Sequence, residues 1–256
     1  MFKNLSILFT SICFISVNLF AHCDGCGTKT EHAHGTLSGN VKYDGPTPKA
    51  RPLKMDADPI CGAAHEGKVL SESFIVDDNS NLKNVLVWLK NVKYDGPTLS
   101  DTAVLDQKGC IYTPHVMPVM KDQKVLIKNS DATLHNIHSM ARKNEQFNFA
   151  MPKVVKEKET SFGVVEEPFY IKCDVHPWMK SWVLVQDHPY FAVTNEKGQF
   201  TIQNIPPGKY EVVFWQERLS NVDEEKYIIQ NSTFEINITD NQNTTQNFTF
   251  NRPVKK

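Results

Sequence analysis

The chain has 256 residues, 40% of them hydrophobic, enough for one large core or two modest ones. Its 28 basic and 29 acidic residues nearly cancel. It has no basic stripe to hold nucleic acid and no acidic tail to gather cations.

Residues 1–21, MFKNLSILFTSICFISVNLFA, have a short basic start, an unbroken apolar stretch and a small residue at Ala21. That is the layout of a secretory signal, so a periplasmic or secreted protein is expected. Leu19 is large for a cleavage site, which keeps an uncleaved membrane anchor as the alternative. A lipoprotein reading is weaker, because Cys23 follows His22. No later segment is apolar enough to span a bilayer, so no integral membrane segment is expected after cleavage.

Residues 22–36 carry His22, Cys23, Cys26, His32 and His34. A CxxC with flanking histidines can hold an auxiliary metal ion, and the same two cysteines can close a disulfide. Once Cys13 leaves with the signal, Cys23, Cys26, Cys61, Cys110 and Cys173 remain. An odd number in an oxidising compartment leaves one thiol for other chemistry. Cys61 and Cys110 are the candidate disulfide, with a metal site including His65 and His115 as the rival. Cys173 is the odd one out.

Short β-rich runs between turn residues dominate from residue 37 onward: TLSGNVKYDG, ESFIVDD, NVLVWLKNV, QKVLIKN, PFYIKC, SWVLVQ, GQFTIQN, KYEVVFW and STFEINIT. Many short strands of this kind predict an all-β chain of antiparallel sandwiches. Residues 55–67 lack alternation and read as a loop or short helix. The string NVKYDGPT occurs at 40–47 and again at 91–98, either closing equivalent sheet edges or repeating a favoured strand–turn sequence by chance. A boundary is expected near 187–189.

Two strings carry the chemistry. CDVHPWM, residues 173–179, offers a thiol, an imidazole and a thioether on one loop. QKVLIKNSDATLHNIHSM, residues 123–140, supplies a second imidazole, His135, after a strand and a Ser-Asp turn. A copper site for electron transfer needs one thiolate, two imidazoles and a weak axial thioether, because that mixture suits both oxidation states.

With those residues in place, the chain resembles a cupredoxin, a type 1 blue copper protein of the plastocyanin and amicyanin group. The family's first ligand histidine follows a strand and opens an H-N-[VI] element, matched by Val125, Ile127, Asn129, His135, Asn136 and Ile137. Its C-x-x-H with a following Met is matched by Cys173, His176 and Met179, at the short spacing of amicyanin. The resemblance implies a Greek-key β-sandwich with His135, Cys173 and His176 as strong ligands of one copper ion and Met179 as the long axial one. It also implies that Asn136 ties the histidine loop to the cysteine loop, and that His176 lies near the surface as the electron exit. His138, Trp178 and Trp182 are read as structural. The strand PFYIKC and the pair Asp174-Val175 depart from the family's common residues, and Asp174 puts a carboxylate beside the thiolate.

The likeness covers roughly residues 85–186, within a cupredoxin domain assigned to 37–187 with an N-terminal extension. Residues 188–253 resemble the smaller transthyretin-like sandwich called the carboxypeptidase regulatory-like domain, through the pattern from Thr194 to Tyr210. The expected function is outer-sphere electron transfer, without enzymatic activity. The expected partner is a redox protein docking transiently near His176, Pro177 and Trp178. The alternative is a copper carrier or store that delivers the ion to an oxidase.

Overall fold

The computed structural model describes residues 34–223, 228–230 and 233–251. The signal reading and the candidate metal residues His22, Cys23, Cys26 and His32 lie outside the described residues, while His34 is exposed just ahead of the first strand. No helix among the described residues is long and apolar enough to cross a membrane.

In chain order the elements begin with β1 (Gly35–Tyr43), α1 (Pro59–Ala63), β2 (Leu86–Lys90), β3 (Ala103–Lys108), β4 (Ile111–Thr113) and β5 (Val116–Met120). They continue with β6 (Val125–Asn129), β7 (His135–Ser139), β8 (Asn148–Met151), β9 (Glu157–Thr160), β10 (Glu166–Lys172) and β11 (Lys180–Gln186). The last are β12 (Phe191–Val193), β13 (Gln199–Ile205), β14 (Gly208–Trp215), β15 (Asn221–Asp223), β16 (Ile228–Gln230), β17 (Thr233–Ile238), β18 (Asn243–Thr245) and β19 (Phe248–Phe250). Among the described residues α1 is the only helix, and the other elements are strands.

Two sandwiches account for most strands. In the first, a sheet ordered β5-β11-β10-β7-β8 faces one ordered β4-β3-β6-β9. Alternation in β6 turns Val125 and Ile127 inward to meet Ile137, Phe169, Ile171 and Val183 of the opposite sheet. In the second, β13-β1-β18, with β19 also on β1, faces β12-β2-β14-β17. Leu37, Val41, Phe200 and Ile202 there pack on Val87, Leu89, Val212 and Phe214.

The two sandwiches share a third apolar layer. Leu86 and Trp88 of β2 join Val213 and Trp215 of β14 against Val116 of β5 and Leu184 of β11. This is why β2 reads as an unbroken apolar run rather than alternating: both its faces are buried.

Three expectations need correction. Three of the four sandwich sheets are mixed rather than antiparallel, since β3–β6, β5–β11, β1–β18 and β1–β19 pair in parallel, while β12-β2-β14-β17 is antiparallel throughout. The division into 37–187 and 188–253 does not follow the sheets. β1 is hydrogen-bonded to β13 and β2 to β14, so the second sandwich takes strands from both sides of that boundary. Alternating sequence specifies a buried face but not the partner strand, and that is how the division went astray. ESFIVDD forms no extended strand. Its Val76 makes a single bridge to Leu82 around a turn held by the Asp77 carboxylate, which accepts from Asn79 N and Asn81 N.

The repeated NVKYDGPT encodes one local turn in two settings. Tyr43 Oη donates to Pro46 O at 3.3 Å and Tyr94 Oη to Pro97 O at 3.0 Å. Each ring lies over the intervening glycine, where a Cβ on Gly45 or Gly96 would come within 2.5 Å of the tyrosine. The first copy ends β1 and the second follows β2, so the shared string builds a turn and not an equivalent sheet edge.

Candidate metal centre

Register brings the two ligand strings together. β10 pairs with β7 through Ile171↔Ser139 and Lys172↔His138, and Cys173 continues past the end of β10 toward Asn136. His135, Ile137 and Ser139 point to the same buried face as Phe169, Ile171 and Cys173. Period-two alternation on neighbouring strands thus makes the imidazole of His135 and the thiol of Cys173 neighbours. The loop after Cys173 turns back on itself, with Met179 N donating to His176 O at 2.9 Å and Cys173 N to Met179 O at 3.3 Å.

One ligand atom from each of His135, Cys173 and His176 lies within 4.8 Å of the others. The two Nδ1 atoms are 2.9 Å apart, and Cys173 Sγ is 3.8 Å from His176 Nδ1. All three residues are at most 2% exposed. Separations of this size match an ion held at about 2.0–2.3 Å from each nitrogen and sulfur donor, so the residues fit a copper ion. Met179 is buried at the end of the loop in the same apolar cluster as Cys173. Met151, the register partner of His135, has its sulfur engaged by Gln107 Nε2 at 3.2 Å.

The thiol is prepared for ionisation. Burial raises its pKa, but His135 and the backbone N–H groups of Asn136, His176 and Val175 outweigh that and hold it below the usual value. Asn136 N and His176 N each approach Sγ at 3.4 Å. Asn136 Oδ1 accepts from Asp174 N at 2.5 Å, joining the histidine strand to the cysteine loop, and its amide reaches Asn148 Oδ1. Tyr112 Oη donates to Asn136 O and fixes the same strand from the opposite sheet.

Asp174 turns away from the centre. Its carboxylate takes Lys172 Nζ, Asn148 Nδ2 and His138 Nδ1, which hold it down to about 2, the lysine contributing most. His138 is therefore part of a surface network outside the ligand cluster.

Cys61 and Cys110 form the disulfide. The rival grouping does not form, since His65 Nε2 lies 2.7 Å from Gly109 O and His115 Nε2 2.5 Å from Glu217 Oε1. Cys173 is the free cysteine of the described residues.

His176 does not lie at the surface. The 55–64 segment, which the disulfide fastens to the first sandwich, folds over its ring, leaving it 2% exposed. Asp58, the N-cap of α1, places Oδ2 3.1 Å from His176 Nε2, and Cys61 Sγ is 3.6 Å from the same nitrogen. Trp178 packs its indole 5.0 Å from the imidazole and donates Nε1–H to Cys110 O. Of the expected docking residues only Pro177 is exposed, with Trp178 half-buried.

Sequence reasoning missed Asp58, Asp131 and Thr133. Asp131 Oδ2 is 2.8 Å from His135 Nε2, and Thr133 Oγ1 donates to Asp58 Oδ2 at 2.9 Å. A signal existed only for Asp58, whose Asp-Pro pair marks an N-cap followed by proline at the helix start. Nothing in it announces that the free oxygen reaches a histidine 118 residues away.

No family model and no curated protein matches the chain. Over part of its length it is similar to solved copper-protein structures. One is a Cu-containing nitrite reductase (NirK) from Thermus scotoductus SA-01, at 16% identity over 38% of this chain, with a TM-score of 0.32. That match spans a quarter of the reductase chain. Another is a purple cupredoxin from Nitrosopumilus maritimus, at 22% identity over 33% of this chain and 99% of its own, with a TM-score of 0.28. A third is an oxidized amicyanin variant, at 21% identity over 45% of this chain and 94% of its own, with a TM-score of 0.30. At these identities and TM-scores the likeness decides nothing about function, which rests on the donor geometry.

Proposed function

We propose that the chain is a cupredoxin-type protein that holds one type 1 copper ion and carries single electrons between protein partners outside the cytoplasm. In this reading His135, Cys173 and His176 would hold the ion strongly, and Met179 would be a fourth, weaker donor. The observation that supports it is the convergence of one thiol and two imidazole Nδ1 atoms in a buried cluster. Copper, when bound, supplies a one-electron couple whose two states accept the same soft and nitrogen donors. The chain's part is to keep those donors still. The loop hydrogen bonds, the N–H groups on the Cys173 sulfur and the disulfide-fastened cap all restrict movement on electron gain or loss.

Electron transfer is favoured over turnover of a small substrate because all four donor residues are at most 2% exposed. A catalytic metal site keeps an open position instead. The carrier reading requires an ion that leaves readily, which the cap over His176 opposes. A transient redox partner would meet the exposed Val175 and Pro177, and an interface below about 1,200 Å² is enough for such encounters. The second sandwich is assigned as a carboxypeptidase regulatory-like accessory, which implies no reaction.

The test is the spectrum of copper-loaded protein. An intense visible thiolate band with narrow EPR hyperfine splitting is expected, and tightly bound copper without that signature overturns the reading. Met179→Leu is expected to keep the band and raise the reduction potential by voltammetry. An unchanged potential would place Met179 away from the ion.

The metal-free site also predicts a pH dependence. Burial lowers the His135 pKa, but Asp131 and Cys173 outweigh it and bring the value to about 9. Below that pH the ring carries a proton that the metal has to displace. Copper affinity is expected to fall about tenfold per pH unit for that proton as pH drops from 9 to 6, measured against a competing chelator. The sign for folding of the metal-free chain is the reverse. The stability from protonated His135 is complete below about 6.5 and is lost as pH rises through about 9.

A further inference from the structure

Each ligand imidazole has its Nδ1 turned to the donor cluster and its Nε2 turned to a carboxylate, at 2.8 Å for His135–Asp131 and 3.1 Å for His176–Asp58. A carboxylate can only accept, so it keeps a proton on Nε2 and makes Nδ1 the nitrogen offered to a metal, once the metal has displaced any proton held there. Both carboxylates are themselves fixed by backbone donors from the same covalent link. Asp131 accepts from Gly109 N at 2.7 Å and Cys110 N at 2.8 Å. Asp58 accepts from Ile60 N at 2.8 Å and Cys61 N at 3.4 Å. The Cys61–Cys110 bond therefore joins the two anion cradles, and Thr133, two residues from each of Asp131 and His135, ties Asp58 to the His135 strand.

We propose that Asp58 and Asp131 are the positioning residues of the two copper-ligand histidines, and that the Cys61–Cys110 disulfide holds both carboxylates in place as one unit. The inference rests on the copper reading for its consequence, while its geometry can be read without metal. It also gives the 55–64 segment a role. That segment brings one of the two orienting carboxylates to the site as well as covering His176.

The experiment uses the metal-free, full-length protein with ¹⁵N-labelled histidine. NMR is expected to show a slowly exchanging Nε2–H on both His135 and His176. Asp58→Ala should remove the His176 signal and leave that of His135, Asp131→Ala should do the reverse, and Cys61→Ala with Cys110→Ala should speed exchange at both. Retention of both signals in the aspartate variants overturns the proposal. So does unchanged exchange in the cysteine double variant. Should an alanine variant fail to fold, Asp58→Asn and Asp131→Asn preserve shape, and the carboxylate's role is then read from copper. Each is expected to weaken affinity by about 10–100-fold and to raise the potential, and no change in either overturns the proposal. If the wild-type chain takes up no copper, the functional reading fails, and the metal-free spectra still decide this one.

Discussion

Cys173→Ala is expected to abolish the visible thiolate band of the copper-loaded protein and to weaken copper binding by more than about 100-fold, beyond the loss typical of a residue that only supports a ligand. Cys61 and Cys110 are bonded to each other, so among the described residues Cys173 is the one free cysteine sulfur available to a metal. Its site offers what a thiolate needs: two backbone N–H groups on sulfur, a neighbouring imidazole and near-complete burial. Deleting one sulfur atom removes little packing, so the change should be much smaller in thermal unfolding of the metal-free protein than in the copper titration. A variant that kept the band would have its copper elsewhere, and the assigned centre would be wrong.

Trp88→Ala should be the most damaging single change to the fold, costing about 3–5 kcal/mol. Trp88 is fully buried on β2, in the layer where the second sandwich meets Val116 and Leu184 of the first. Its neighbour Trp215 makes an edge contact with Trp182 of β11 at 4.8 Å, so aromatic packing runs across the same seam. Because this layer joins the two sandwiches, emptying it should also uncouple them. Urea unfolding followed by circular dichroism is expected to change from one transition to two. A loss below about 1 kcal/mol with a single transition would show that the seam contributes little.

The centre was legible where its code is local. His176 and Met179 follow Cys173 on one loop, so their spacing, joined to the H-N-I element upstream, marks them as candidate ligands. His135 could be added because the strand, turn and H-N-I order around it are likewise contiguous. The strand-forming runs at β1, β2, β6, β10, β11, β13, β14 and β17 were readable for the same reason, since apolar alternation and turn residues act over a few positions. The likeness to amicyanin also suggested an exposed His176. A segment outside the matched region reversed that by folding over the ring.

The sequence by itself determined the all-β character, the free thiol and the candidate donors, because each follows from residue type and short-range spacing. Only the tertiary structure decided that β1 and β2 pair with β13 and β14. It alone brought Asp58 and Asp131 to the outer nitrogens of the histidines and placed a disulfide between their supports. A ladder hydrogen bond is the same for every strand, and a carboxylate looks the same beside any imidazole. Such contacts are specified by the packing of faces far apart in the chain, and no short string of residues records them.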